Sequence, residues 1–235
     1  EARALLDESR RANVPLTVYQ NRRWDGDFLT VQRLIAEDAL GQVVRFESRF
    51  DRWKPAAQDV WRERAGPEEA GGLLFDLGSH LIDQALRLFG PVRQVYAEIA
   101  RRRPGVVVDD DLFIALTHES GVRAHLWATA VAAQPGLRLR ALGTRATYTK
   151  AHVDVQEEWL RSGRSPDEPG YGEDPPDHWG LLGIGADARP VKTERGDYRE
   201  FYAQCVAWLR DGAAPPVDPQ DPVRVLEIIE EARDQ

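Results

Sequence analysis

Methionine is absent from the 235 residues, which open at Glu1, and cysteine occurs once, at Cys205. A chain without an initiator reads as a piece of a longer protein. A single thiol excludes an internal disulfide and points to a reducing cytoplasm. No apolar run approaches the roughly 18 residues needed to cross a bilayer, and the first residues do not have the form of a signal peptide, so no membrane partner is expected. Basic side chains are in deficit, 31 against 39 acidic for a net charge of −8, which argues against nucleic acid as a partner. Internal repeats and low-complexity tracts are also missing. What remains is 42% hydrophobic and 30% charged, enough to bury a core without metal or disulfide staples.

Apolar spacing predicts a helix over the first twelve residues, stopped at Asn13, and a short strand, LTVYQ (16–20), after Pro15. A helix feeding a strand is half of a βαβ unit, so residues 1–20 read as the last unit of a dinucleotide-binding domain cut upstream, and residues 21–235 as a separate domain. A polar junction, NRRWDGD, follows. Phe28, Val31, Leu34 and Ile35 then mark an amphipathic helix ending at Gly41. VVRFESRF predicts a strand, and a second helix covers about 72–89 before Gly90-Pro91. Five β-type runs between 92 and 150, with short connections, predict an antiparallel meander. Residues 161–190, rich in Gly, Pro and Asp, read as a functional flap or an Ω-loop. Two helices close the chain, the last from Val223 behind an Asp221-Pro222 cap. The fold class is therefore α+β, a large, mostly antiparallel sheet with helices on one face.

The segment GGLLFDLGSHLIDQALRLFG (71–90) carries the best candidate chemistry. Leu74, Leu77, Leu81, Ala85 and Leu88 share one face of a helix, and Asp76, His80, Asp83 and Arg87 the other. Periodicity alone favours a solvated polar face. Gly78, costly inside a helix, marks a close approach. Asp76 and His80, four apart, are neighbours on an α-helix, where a carboxylate can orient an imidazole and raise its basicity, as a general base needs.

This GGxxxDxGxHxxD pattern, with QNRRWDGD and LGQVVRFESRFDRW upstream of it, resembles the Gfo/Idh/MocA (glucose–fructose oxidoreductase/inositol dehydrogenase) family, most of all its scyllo-inositol dehydrogenase-like members. The resemblance runs over nearly the whole chain and implies the C-terminal part of a two-domain enzyme that moves hydride between NAD or NADP and a polyol or sugar. It implies that Asp76 binds substrate, that His80 handles the hydroxyl proton, and that Asp83 supports them. Asn21 and Arg22 fall at the family's domain junction, near substrate and the nicotinamide end of the cofactor, although a solvated loop is the plain alternative. The family's glycine-rich phosphate loop and Glu-Lys-Pro lysine have no counterpart here, so these residues alone are expected to bind no dinucleotide and to be inactive. GIGADA (183–188) mimics the loop but lacks the strand, helix and distal acid that give it meaning.

Other features read as structural. An acidic turn at 109–111, His118 and His125 at a hairpin, a packed Cys205, and Trp53, Trp61 and Trp127 in the core are the default readings, with a sugar-facing role the alternative for the tryptophans. Both faces of the meander carry apolar side chains, Phe113, Trp127 and Val131 lying opposite Leu112, Leu126 and Ala130. The face left uncovered predicts a homodimer or higher oligomer. Two other functions compete: Asp76, His80 and Asp83 as metal ligands of a sugar isomerase or hydrolase, and a non-catalytic binding or scaffold module.

Overall fold

Burial alternates along DLFIALTH and RAHLWAT, so the sheet fully buries only one of its faces, and this sets the architecture. The computed structural model describes residues 1–235, apart from the side chain of Pro67. Helix α1 (Ala2–Ala12) ends at Asn13, which adopts the left-handed conformation of a helix stop. Helix α2 spans Gly26–Ala36, strand β1 Val43–Asp51, the short α3 Trp61–Arg64 and α4 Ser79–Phe89. Strands β2 (Val92–Ala100), β3 (Asp111–His118), β4 (Arg123–Thr129), β5 (Leu139–Gly143) and β6 (Thr147–Lys150) follow. Then come α5 (Gln156–Arg161), β7 (Gly180–Gly183), β8 (Arg189–Val191), α6 (Arg199–Asp211) and α7 (Gln220–Arg233).

The strands form one eight-stranded sheet in the order β2-β3-β4-β1-β5-β6-β7-β8. Every neighbouring pair is antiparallel except β1–β4. The inner face presents Phe46, Ile114, Leu126 and Leu139, all fully buried, to Leu81 and Ile82 of α4 and Ile229 of α7. Each such side chain contributes about 1.5–3 kcal/mol through removal from water. The outer face is half exposed. There Tyr96, Phe113, His125 and Trp127 form an aromatic row, and the Arg49 guanidinium lies 4.3 Å over the Trp127 ring.

Several expectations need correction. Residues 16–20 form no strand: a strand exists only through a paired neighbour, and this segment instead makes isolated long-range contacts such as Thr17 Oγ1 donating to the Val217 carbonyl at 2.8 Å. The meander is not continuous, because β1 separates β4 from β5. The helix expected to run to Gly41 stops at Ala36, with Asp38 and Gly41 at positive φ in the turn that follows. The last helix begins at Gln220, before the expected cap. Residues 161–190 hold β7 and the start of β8, so the irregular stretch is partly sheet. Helix α1 packs on α7, with Leu6 buried and Arg3 paired with Glu227. No helix among the described residues is long and apolar enough to cross a membrane.

Candidate active site

The segment before α4 is wound wide: Leu74–Gly78 forms a π turn that continues directly into α4. Single π turns of this kind recur at functional sites. Asp109 anchors its start, accepting a hydrogen bond from the Leu74 amide at 2.7 Å, while its carbonyl accepts one from Leu73 at 3.0 Å. A carboxylate at the beginning of a helix satisfies open N–H groups and faces the positive end of the helix dipole. Gly72, at φ 98°, has no room for a side chain, since a Cβ there would lie 2.1 Å from Asp109 Oδ1. Within the acidic turn, Asp109 is thus a cap and Asp110 a partner of buried Arg103 at 2.8 Å.

The π turn overturns the expected contact between Asp76 and His80. Residues five apart are bonded through it, so the i,i+4 spacing that joins two side chains on an α-helix does not join these. Asp76 lies instead between two guanidiniums, 3.9 Å from Arg52 Nη1 and 3.7 Å from Arg62 Nη1. The hydrogen bond to His80 comes from outside the motif, where Gln20 Oε1 lies 2.9 Å from His80 Nδ1. The expected rise in basicity is reversed as well. Burial, and after it the positive charges of Arg22, Arg138 and Arg52, push His80 from 6.5 down to about 3. The ring is neutral at physiological pH.

His80 and Asp76 share the wall of a cleft of about 540 Å³ with Gln20, Trp61, Phe75 and Val223. Asp76 also borders a second, smaller cleft with Arg52, Lys54 and Arg161. Apolar walls with a few convergent polar groups are the usual makeup of a small-molecule site.

The NRRWDGD junction is no solvated loop. Arg22, Asp25 and Asp27 are buried. Arg22 donates to Asp25 at 3.2 Å and to Glu157, and its guanidinium lies 4.6 Å from the Phe50 ring. Asp25 accepts from Tyr198 Oη at 2.8 Å, and burial followed by the charge of Asp154 raises its carboxyl well above the usual range. Arg138 Nε sits 2.9 Å from Asp27 Oδ2, a charge contact without hydrogen-bond alignment, and its Nη1 donates to Ser48 at 2.6 Å. Arg23 holds Asp83 in a fork at 2.8 and 2.6 Å and also reaches Asp221, so Asp83 braces α4 against the junction instead of joining His80. Asn21 is half-buried, and its side chain makes no hydrogen bond among the described residues. The structure thus gathers His80 and Asp76 at one cleft and places Arg22 behind His80, as a source of positive field.

Sequence reasoning missed Gln20, Arg52 and Arg138. Only the polar end of an apolar run signals Gln20, and nothing local signals the other two. Trp53 and Trp61 are not core residues, at 56% and 58% exposed, and Trp127 lies on the outer sheet face. Cys205 packs half-buried beside Phe201. Gly183–Ala188 closes the β7–β8 hairpin with a single 3₁₀ turn, so it offers no strand–turn–helix for a pyrophosphate. Gly183–Ala188 therefore does not fit a dinucleotide's phosphate cradle.

Comparison with known proteins adds a second line of observation. The family model of the GFO/IDH/MocA C-terminal domain matches residues 28–149. Scyllo-inositol 2-dehydrogenase (NADP(+)) IolW of Bacillus subtilis is 34% identical over 236 residues, 99% of this chain and 65% of IolW. The oxidoreductase YdgJ of Escherichia coli is 36% identical over 98% of this chain and 66% of its own length. The structure of Bacillus subtilis YvaA in a triclinic crystal form matches with a TM-score of 0.92 at 34% identity, over 99% of this chain and 67% of that one. The chain thus spans about two thirds of the length of these relatives.

Proposed function

Because the chain belongs to the GFO/IDH/MocA family of oxidoreductases, we propose that it forms the substrate side of a nicotinamide-dependent dehydrogenase acting on a polyol or sugar. Residues 21–235 are read as the substrate-binding unit, and residues 1–20 as the end of a dinucleotide-binding unit. The observation that carries this is the presence of a neutral His80 and a half-buried Asp76 on the wall of one cleft, with Arg52 beside Asp76 and the charges of Arg22, Arg138 and Arg52 acting on the ring. Oxidation of a secondary alcohol removes its hydroxyl proton, and a neutral imidazole is the group here able to accept it. Asp76 accepts hydrogen bonds from substrate hydroxyls. Arg52 and Arg22 favour negative charge developing on the reacting oxygen. Trp61 offers an aromatic face for polyol C–H surface. The name of IolW supports an inositol-like substrate and NADP.

The test is steady-state kinetics of the whole protein with inositols and aldoses as substrates, beside an Asp76→Asn variant. That variant should raise KM at least about tenfold, the loss of one charge-assisted hydrogen bond. Unchanged KM on every substrate turned over would remove Asp76 from the substrate site. A metal-dependent reading finds less support, since Asp83 is held by Arg23 and does not meet Asp76 and His80.

A second copy of the chain is proposed to cover the aromatic row on the outer sheet face. Tyr96 is 49% exposed there beside Phe113 and Trp127, a patch soluble monomers seldom leave open. Light scattering should give at least twice the monomer mass, and Trp127→Arg should lower it. A wild-type monomer at micromolar concentration would end this assignment.

A further inference from the structure

Gln20 sits where the first segment of the chain reaches α4, and the residue is buried, at 6% exposure. Its carboxamide oxygen is the one hydrogen-bond partner of the His80 ring among the described residues. The nitrogen at the other end of the ring, Nε2, has no partner and is not among the buried unpartnered atoms, so it remains open. Gln20 and His80 line the same cleft.

We propose that Gln20 is a positioning residue that fixes the tautomer of His80, holding the proton on Nδ1 and leaving the Nε2 lone pair to receive the substrate's proton. The inference rests on the reading of His80 as the proton acceptor. A neutral imidazole carries one N–H, and which nitrogen bears it is set by the bond the other makes. A carboxamide oxygen can only accept, so Nδ1 must donate to it. The charged groups around the ring reinforce this state. Arg22 from the junction, Arg52 from the end of β1 and Arg138 from the start of β5 all oppose a second proton, and Asp76 is engaged with Arg52 and Arg62. Asp76 therefore leaves the orienting role to a neutral amide. This differs from the carboxylate–imidazole arrangement, in which the partner's charge raises basicity. Here the ring is oriented by a group that adds no negative charge beside it.

Long-range ¹H–¹⁵N correlation of the 235-residue chain reads the tautomer directly. In the wild type, Nδ1 should show the protonated-type shift and Nε2 the lone-pair type, unchanged well below pH 6. Gln20→Leu removes the acceptor and should move both shifts toward a mixture of tautomers. Gln20→Glu keeps an acceptor at the same place, and should preserve the tautomer while moving the ring's titration upward. In the whole protein, Gln20→Leu should lower kcat by about 10–100-fold, as removing an orienting partner typically does, with KM changed less than about threefold. Gln20→Glu should move the acid limb of its pH profile upward. An Nε2–H tautomer in the wild type, or shifts unmoved by Gln20→Leu, would overturn the proposal. If Gln20→Leu does not fold, an unmoved titration in Gln20→Glu overturns it alone. The reading of His80 as proton acceptor fails separately, through normal turnover of His80→Ala, and the tautomer result would stand without it.

Discussion

Replacing His80 by alanine should cut the whole protein's turnover by about 10²–10⁴-fold, the span associated with a positioned general base. The loss should fall on kcat, because Asp76 and the cleft walls that hold the substrate are untouched. The pH profile gives an independent check. A group whose folded value is near 3 is deprotonated across the working range, so kcat/KM should show no His80 limb near 6.5. Stability follows the same linkage. The unfolded chain binds a proton at this histidine at about 6.5 and the folded chain does not until about 3, so the unfolded state gains protons first on acidification. The contribution of His80 to stability is therefore full above 6.5 and lost as pH falls from 6.5 toward 3. An acid limb near 6.5 that disappears in the His80 variant would contradict the site electrostatics described above.

Asp27→Ala should destabilise the chain by about 3–5 kcal/mol, the cost of leaving a buried guanidinium without its counter-charge. Asp27 and Arg138 are 0% and 1% exposed at their side chains, so water cannot replace the lost carboxylate. For a chain of this size that is a fall in Tm of about 6–20 °C. The effect extends toward the site, because Arg138 donates to Gln84 at 3.3 Å and Gln84 in turn donates to the Arg22 carbonyl at 2.9 Å. Adding Arg138→Met to Asp27→Ala removes the orphaned charge and should recover most of the loss. Thermal unfolding of the single and double variants tests both statements. A single variant within 2 °C of the wild type would show that the pair contributes nothing.

Local chemistry was legible in the sequence, and long-range geometry was not. Among the five β-type runs, those at 92–100 and 111–118 coincide with β2 and β3, because short runs rich in β-branched and aromatic residues between turn residues are a local signal. The helix stop at Asn13 carried a similar local signal. Asp76 and His80 stood out by residue type and were gathered at one cleft. Their relation was misread because a wheel at 100° per residue assumes an α-helix, and the chain widens to a π turn at that point. Gln20 is sixty positions from His80, and no periodicity links residues so far apart. The same distance hid the build of the polar junction, where Arg22, Arg23, Asp25 and Asp27 have their partners at 83, 138, 157 and 198.

The place of β1 in the sheet has a consequence for how the chain folds. Strands β2–β4 and β5–β8 are two antiparallel ribbons of strands consecutive in the chain, and even the longest connection within them, residues 151–179 between β6 and β7, is shorter than the separations β1 has to close. β1 joins them, pairing Arg45 with Arg123 on one side and with Leu142 on the other. Those pairings close loops far longer than any within the ribbons, and their entropy must be met before the contacts reward it. The step that unites the sheet is therefore the slow one. Until it is complete, the inner edges of both ribbons, at β4 and β5, present unpaired backbone to any strand that reaches them first.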